Sequence, residues 1–377
     1  MTPPTPGSNN PFREEELYAD ALLRGIELAV EDVFDDPGRH VTRTEQEKLC
    51  YFAIKEFDIP VTYSWYLAGA YTKVAGEPDN APGRITTNTA GIQRDHGEDE
   101  RVQQYRDYFA SEVFFDDYDL RKVWYTGKFE FLRDFYRECA PDEYTDLYLT
   151  STDIREHLET LDETIEQETT NRSLSDFGGG SQEGLLSESD EREFRLLISD
   201  LHLELSQIDE LSEIVDIVTR GTDVIEQVFA QLTTLESISS EQNVVLQDLA
   251  PYFYYSVWRY PAMYISTQTA EGPNRHHLIG EHADRFTDFH EELLSRRSRL
   301  SERCTDAGLY PRAGHHSRQV DEEQMAHLHE MAREVLEGLN ERSFPAQSGH
   351  VSGGELRVFS TSWGSRRGSG MSATHRW

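Results

Sequence analysis

TRTEQEKLCYFAIKEFDIPVTYSWYLAGAYTKV, residues 42–74, places a helix start, an apolar helix face and an aromatic strand within one short span. Thr44 and Glu47 have capping-box spacing, in which the hydroxyl and the carboxylate each satisfy a free backbone N–H of the first turn. Leu49, Phe52, Ala53 and Phe57 then form one helix face. That helix ends before Pro60, which disfavours helical geometry at Ile59. VTYSWYL alternates, with Val61, Tyr63, Trp65 and Leu67 on one side as in a half-buried strand, and Gly69 ends it. Trp65 and Tyr66 are adjacent on the strand and face opposite sides. One is expected in the core; the other, with Tyr71, is a candidate partner contact.

Outward from this unit, residues 1–10 form a lead rich in Pro, Ser and Asn that reads as disordered. Asn10 caps and Pro11 starts a first helix with the stripe Leu17, Leu22, Leu23, Ile26, Val30 and Val33, which ends near Pro37 and Gly38. Residues 76–100 are polar and turn-rich, the pattern of a long loop. Helical spacing returns at about 98–115, 119–138 and 143–165, which closes an α+β N-terminal module at 11–167. Residues 168–190 carry three consecutive glycines and many serines, a flexible linker by composition.

Beyond it, Phe194, Leu197, Leu201, Leu205, Ile208, Leu211, Val215 and Val218 advance by threes and fours, a helical seam. Gly221 interrupts, and Ile225, Val228, Leu232, Leu235 and Ile238 resume. Ser239 and Gln242 cap the next helix, and further stripes lie at 283–293 and 328–339. The expected fold is mainly α: a small α+β N-terminal domain plus a helical bundle or coiled-coil hairpin at 191–342. The tail, 343–377, is rich in Arg, Gly and Ser and reads as disordered.

The charge is extreme. Seventy Asp and Glu stand against 36 Lys and Arg, a net charge of -34, and only five of the basic residues are lysine. A dense carboxylate surface with lysine nearly excluded points to a haloarchaeal cytoplasm at molar salt. There the Debye length falls to about 3 Å, so global charge neither steers nor forbids a nucleic-acid partner; DNA is possible but not indicated. No signal-peptide core and no apolar run of membrane-spanning length is present. The expectation is a soluble cytoplasmic protein, with no membrane partner.

The order "QEKLCYFA", short turn, "YSWYLAGAY" resembles the opening of Panacea-type, SocA-like antitoxins. Lys48, Leu49, Tyr51 and Phe52 match that family's helix, while Gly69 and Tyr71 match its turn. Ala70 stands where the family has proline, and the resemblance covers roughly 35 residues. It implies a compact α+β module that recognises protein, with DNA as the alternative target, and has no chemistry of its own.

Chemical constellations are sparse. Cys50, Cys139 and Cys304 are far apart and suggest neither a disulfide framework nor a zinc site. No phosphate loop, dinucleotide fingerprint or nucleophile elbow is present, and no cofactor is implied. His277, Glu281 and Asp284 fall on one helical face and could supply N and O ligands to a divalent cation; a solvated histidine-rich helix start fits them as well. The aspartates at 116, 117 and 119 read as a chance acidic cluster. PYFYYSVWRYPAMY, 251–264, is either a core cluster or a partner groove with Tyr255 and Trp258 as contacts. The leading expectation is a non-enzymatic interaction or regulatory protein, binding a protein partner or self-associating through its C-terminal helices. The alternatives are a metal-dependent hydrolase or nuclease using the His277 cluster, and a winged-helix transcription regulator.

Overall fold

The computed structural model describes residues 12–34, 41–72, 98–165 and 184–310. The lead and its Asn10–Pro11 cap, most of the 76–100 loop, the linker up to residue 183, the stripe at 328–339 and the tail lie outside the described residues.

The described chain is mainly α with a small α+β part. Helix α1 (Arg13–Phe34) precedes α2 (Arg43–Phe57) and a hairpin of β1 (Tyr63–Tyr66) and β2 (Gly69–Thr72). Then come α3 (Glu98–Phe109), α4 (Leu120–Tyr125), α5 (Lys128–Cys139) and α6 (Thr145–Glu159). The C-terminal half holds α7 (Glu188–Gln207), α8 (Asp209–Ser212), α9 (Val215–Leu232), α10 (Ser240–Leu246) and α11 (Leu249–Tyr252). A π-helical segment, Phe253–Trp258, leads into α12 (Arg259–Thr269) and the long α13 (Arg275–Asp306). Among the described residues no helix is long and apolar enough to cross a membrane.

The start of α2 uses the other of two overlapping cap registers. Thr42, not Thr44, is the N-cap: its hydroxyl accepts from the Glu45 N–H, and the Glu45 carboxylate accepts from the Thr42 N–H at 2.7 Å. This leaves Glu47 free to accept from Arg43 at 3.1 Å. The helix is also buried on more than one face, with every residue from Gln46 to Ile54 in the interior. At Ser239 the expected box forms with Gln242.

The hairpin is antiparallel, with Tyr63 opposite Thr72 and Tyr66 opposite Gly69. Gly69 opens the return strand rather than ending the unit. Its φ is +88°, and an added Cβ would come within 2.7 Å of the Tyr136 ring, so both backbone and space require glycine there. Residues 61–67 are buried without alternation, because the C-terminal half covers the second face. Ser64 meets Ser266 at 2.6 Å, the Trp65 N–H donates to Thr269, and Tyr63 exchanges both backbone hydrogen bonds with Glu271. The Glu15 carboxylate on α1 accepts from Thr62 and from Asn274, tying three distant segments together.

One hydrophobic cluster therefore runs from Ala21 to Leu309. Described residues of both expected domains, 11–167 and 191–342, contribute to this core. The end of the expected linker is packed too: Leu185 and Leu186 are buried, with their N–H groups directed at the Leu232 carbonyl, and Ser187 caps α7 with Asp190.

The seam from Phe194 to Val218 is buried except at Leu197 and Val215, which are half-buried, and the helix breaks at Ile208 and Ile214. Gly221 does not interrupt. It lies inside α9, where a Cβ would reach a Val257 methyl at 2.9 Å, so its role is close packing against the π-helical segment. Leu17, expected in the first stripe, is exposed, and Val113, within the expected helix at 98–115, is exposed because α3 stops at Phe109.

Candidate functional site

The aromatic partner candidates divide sharply. Trp65, Tyr66, Tyr71 and Trp258 are all buried, so the expectation that one of Trp65 and Tyr66 faces outward is overturned. The strand's outer face meets helix rather than water: the Tyr66 hydroxyl accepts from Arg259 at 2.9 Å, and its ring lies 4.8 Å from that of His282. Trp258 donates from its indole to the Leu67 carbonyl at 2.8 Å. Tyr255 alone of the five is exposed, at 38%.

The His277 cluster does not assemble. His277 is exposed and edges towards Phe12, Asp284 is exposed, and Glu281 pairs with Arg285 at 2.9 Å. Among the described residues no group of three His, Cys, Asp or Glu is placed to hold a metal ion. Among the described residues the buried histidines are His282 and His290. In the acidic cluster, Asp119 caps α4 through the Lys122 N–H and Asp117 pairs with the Lys122 ammonium.

Lys48 is a buried ammonium in the core. Its Nζ donates to the Ala70 carbonyl at 3.0 Å and lies 5.3 Å from the Phe135 ring centre. Burial pushes its pKa down to about 8, against the opposing pull of the Glu47 carboxylate. Burial likewise raises the pKa of Glu47. Perturbed groups of this kind mark functional sites when they face a cleft, but Lys48 is fully enclosed by protein.

The sign of its effect on stability is definite. Between pH 8 and 10.5 the unfolded chain binds more protons at this lysine than the folded one, so its penalty fades as pH rises. Relative to Lys48→Met, the wild type should gain about 1 kcal/mol of stability between pH 7 and 9. Paired denaturant titrations read this difference, because the buried cysteines and tyrosines titrate alike in both chains. A pH-independent difference would show that Lys48 keeps its ordinary pKa and full charge in the fold.

The feature that stands out chemically is a groove between the π-helical segment and α13. It encloses ≈ 840 Å³ and is lined by Arg259, Arg296, Arg299 and Arg303, against two carboxylates, Asp248 and Glu292. Steps of three and four residues put Arg296, Arg299 and Arg303 on one helical face, spanning about 10 Å along α13. Arg259 enters from the opposite wall, its guanidinium 4.8 Å from the Phe289 ring centre.

Local structure aims these groups. Pro261 has no N–H to offer the Val257 carbonyl and its ring would crowd it; the widened turn lies just before it. Widened turns of this kind recur at functional sites. The Arg296 guanidinium clamps the turn, donating to the Tyr255 carbonyl at 3.3 Å, the Ser256 hydroxyl at 3.2 Å and the Glu292 carboxylate. Arg303 pairs with Asp248. Arg299 donates only weakly, to the Ser295 carbonyl at 3.4 Å, and the described residues give it no carboxylate partner.

Tyr255 forms the ridge between this groove and a smaller one of ≈ 390 Å³. In the second groove the Arg155 guanidinium covers the Tyr254 ring at 4.0 Å. Arginine fits planar, bidentate recognition of carboxylate or phosphate. The arrangement can therefore hold an anionic group beside an exposed aromatic ring.

The four arginines form no motif in the sequence. The available signal was the 3-and-4 spacing at 296–303, together with Arg259 at the end of the aromatic run.

A family model described as a domain of unknown function (DUF8098) matches residues 8–336. No curated protein and no solved structure matches the chain.

Proposed function

The chain belongs to the family described as a domain of unknown function, DUF8098, and from its own residues we propose a non-enzymatic binding and regulatory protein that captures an anionic group in the arginine groove. The observation that carries this reading is the convergence of four guanidinium groups beside exposed Tyr255. An arginine side chain stays protonated at any accessible pH. It supplies charge and directed hydrogen bonds but does not shuttle protons, so the groove is equipped to hold rather than to transform.

The setting is a haloarchaeal cytoplasm, supported by the net charge of -34 and by arginine standing in for lysine. The antitoxin-like part of the reading rests on the order of helix and hairpin in residues 42–74. That unit acts as scaffold, and recognition moves to the 251–303 surface. Self-association has its own candidate surface in Leu196 and Leu203, exposed two turns apart on α7.

The test is capture from a halophilic host in molar KCl, with wild type, Arg299→Glu and, as a control on a distant exposed site, Arg192→Glu. A stoichiometric protein partner lost only with Arg299→Glu supports the reading. Co-purifying DNA that persists in both variants would favour the winged-helix alternative, and a bound transition metal would favour the hydrolase.

A further inference from the structure

We propose that the ligand of the groove is a nucleoside di- or triphosphate, with its phosphates on the Arg296–Arg299–Arg303 ladder and its base against Tyr255; this deepens the binding reading above and rests on it. Size comes first. Small-molecule sites enclose about 300–1,000 Å³, and the groove, at ≈ 840 Å³, lies inside that range. A ladder of about 10 Å matches an extended run of two or three phosphates: among the described residues Arg299 has no carboxylate on its guanidinium, while Arg296 and Arg303 would exchange Glu292 and Asp248 for phosphate oxygens.

Charge around the groove selects against a longer polyanion. Glu291, Glu302 and Asp306 are exposed on the same helix, and Asp248 and Glu292 sit in the wall itself. A nucleic-acid strand leaving the groove would run its phosphates past Glu291, Glu302 and Asp306 as well, whereas a compact nucleotide meets only the two wall carboxylates, each already paired with an arginine.

Tyr255 supplies the second half of the recognition. Its neighbour Tyr254 braces it edge-on, with ring centres 4.9 Å apart, and Arg296 fixes its backbone. A braced, exposed ring at the mouth of a cationic groove is a stacking platform for a base. A bare polyphosphate would not use it.

Binding is measured by calorimetry on the full chain in about 2 M KCl, with ATP, inorganic tripolyphosphate and adenosine as probes. ATP should bind more tightly than tripolyphosphate, and adenosine only weakly. Arg299→Ala should weaken both phosphates about tenfold; Tyr255→Ala should weaken ATP about tenfold and leave tripolyphosphate unchanged. Unaltered melting curves would show that neither variant acts through folding.

Tripolyphosphate binding as tightly as ATP, with no effect of Tyr255→Ala, would overturn the nucleoside inference and leave an anion-binding groove. Absence of binding by either phosphate would overturn it as well, while loss of protein capture in Arg299→Glu would still uphold the wider reading. Release of inorganic phosphate from bound ATP would do the reverse, removing the non-enzymatic reading and leaving the nucleotide site in place.

Discussion

Replacing Trp258 by alanine is expected to unfold both halves of the chain together. The indole is 1% exposed, packs edge-on against Tyr148 at 5.3 Å, and donates to the Leu67 carbonyl of the hairpin turn. Truncating a buried tryptophan costs about 3–5 kcal/mol, and an unpaired buried carbonyl adds about 1–3 kcal/mol. Against a typical total of about 5–15 kcal/mol, the sum removes much of the folding free energy.

The shared core makes the result diagnostic. Denaturant unfolding followed by far-ultraviolet dichroism and by aromatic fluorescence should give one coincident transition in wild type and in Trp258→Ala, displaced to lower denaturant in the variant. Two separated transitions, with only one displaced, would instead show two independently folding domains.

The second large effect concerns salt. With a net charge of -34, the folded chain concentrates like charges that the unfolded chain can spread apart. At 0.1 M salt the Debye length is about 10 Å and neighbouring surface carboxylates repel across it; at 1 M it is about 3 Å and they do not. Cooperative folding is therefore expected only above about 1 M KCl. Melting curves from 0.1 to 3 M, with an uncharged osmolyte as control, read the effect. A full-height, salt-independent melt at the low end would refute it.

What the sequence made legible was local. The capped helix at 42–57, the first strand after it, the Ser239 box and the Phe194–Val218 seam follow from spacing and cap chemistry, which act within a few residues. The cap slipped by two positions because TRTEQE offers two equivalent registers, and the choice between them depends on where Glu47 and Lys48 are buried. The double-sided burial of Trp65 and Tyr66 could not be read, because Arg259, Thr269 and His282, far along the chain, supply the second layer. The groove escaped for the same reason: Arg259 and Arg299 are brought opposite each other by the antiparallel packing of α12 and the π-helical segment on α13. The π-helical turn itself leaves no simple periodic mark, although Pro261 hints that a regular helix could not pass unbroken.

The junction of Tyr63 with Glu271, some 208 positions later in the chain, sets the order of synthesis against the order of burial. At about 5–20 residues per second, roughly 10–40 s separate the emergence of the aromatic hairpin from that of the segment that covers it. Through that interval β1 keeps an open strand edge and an uncovered aromatic face. Contacts closed over such a loop form late and slowly, so the nascent chain depends on whatever shields that edge, whether a chaperone or its own acidic surroundings, until α12 has left the ribosome.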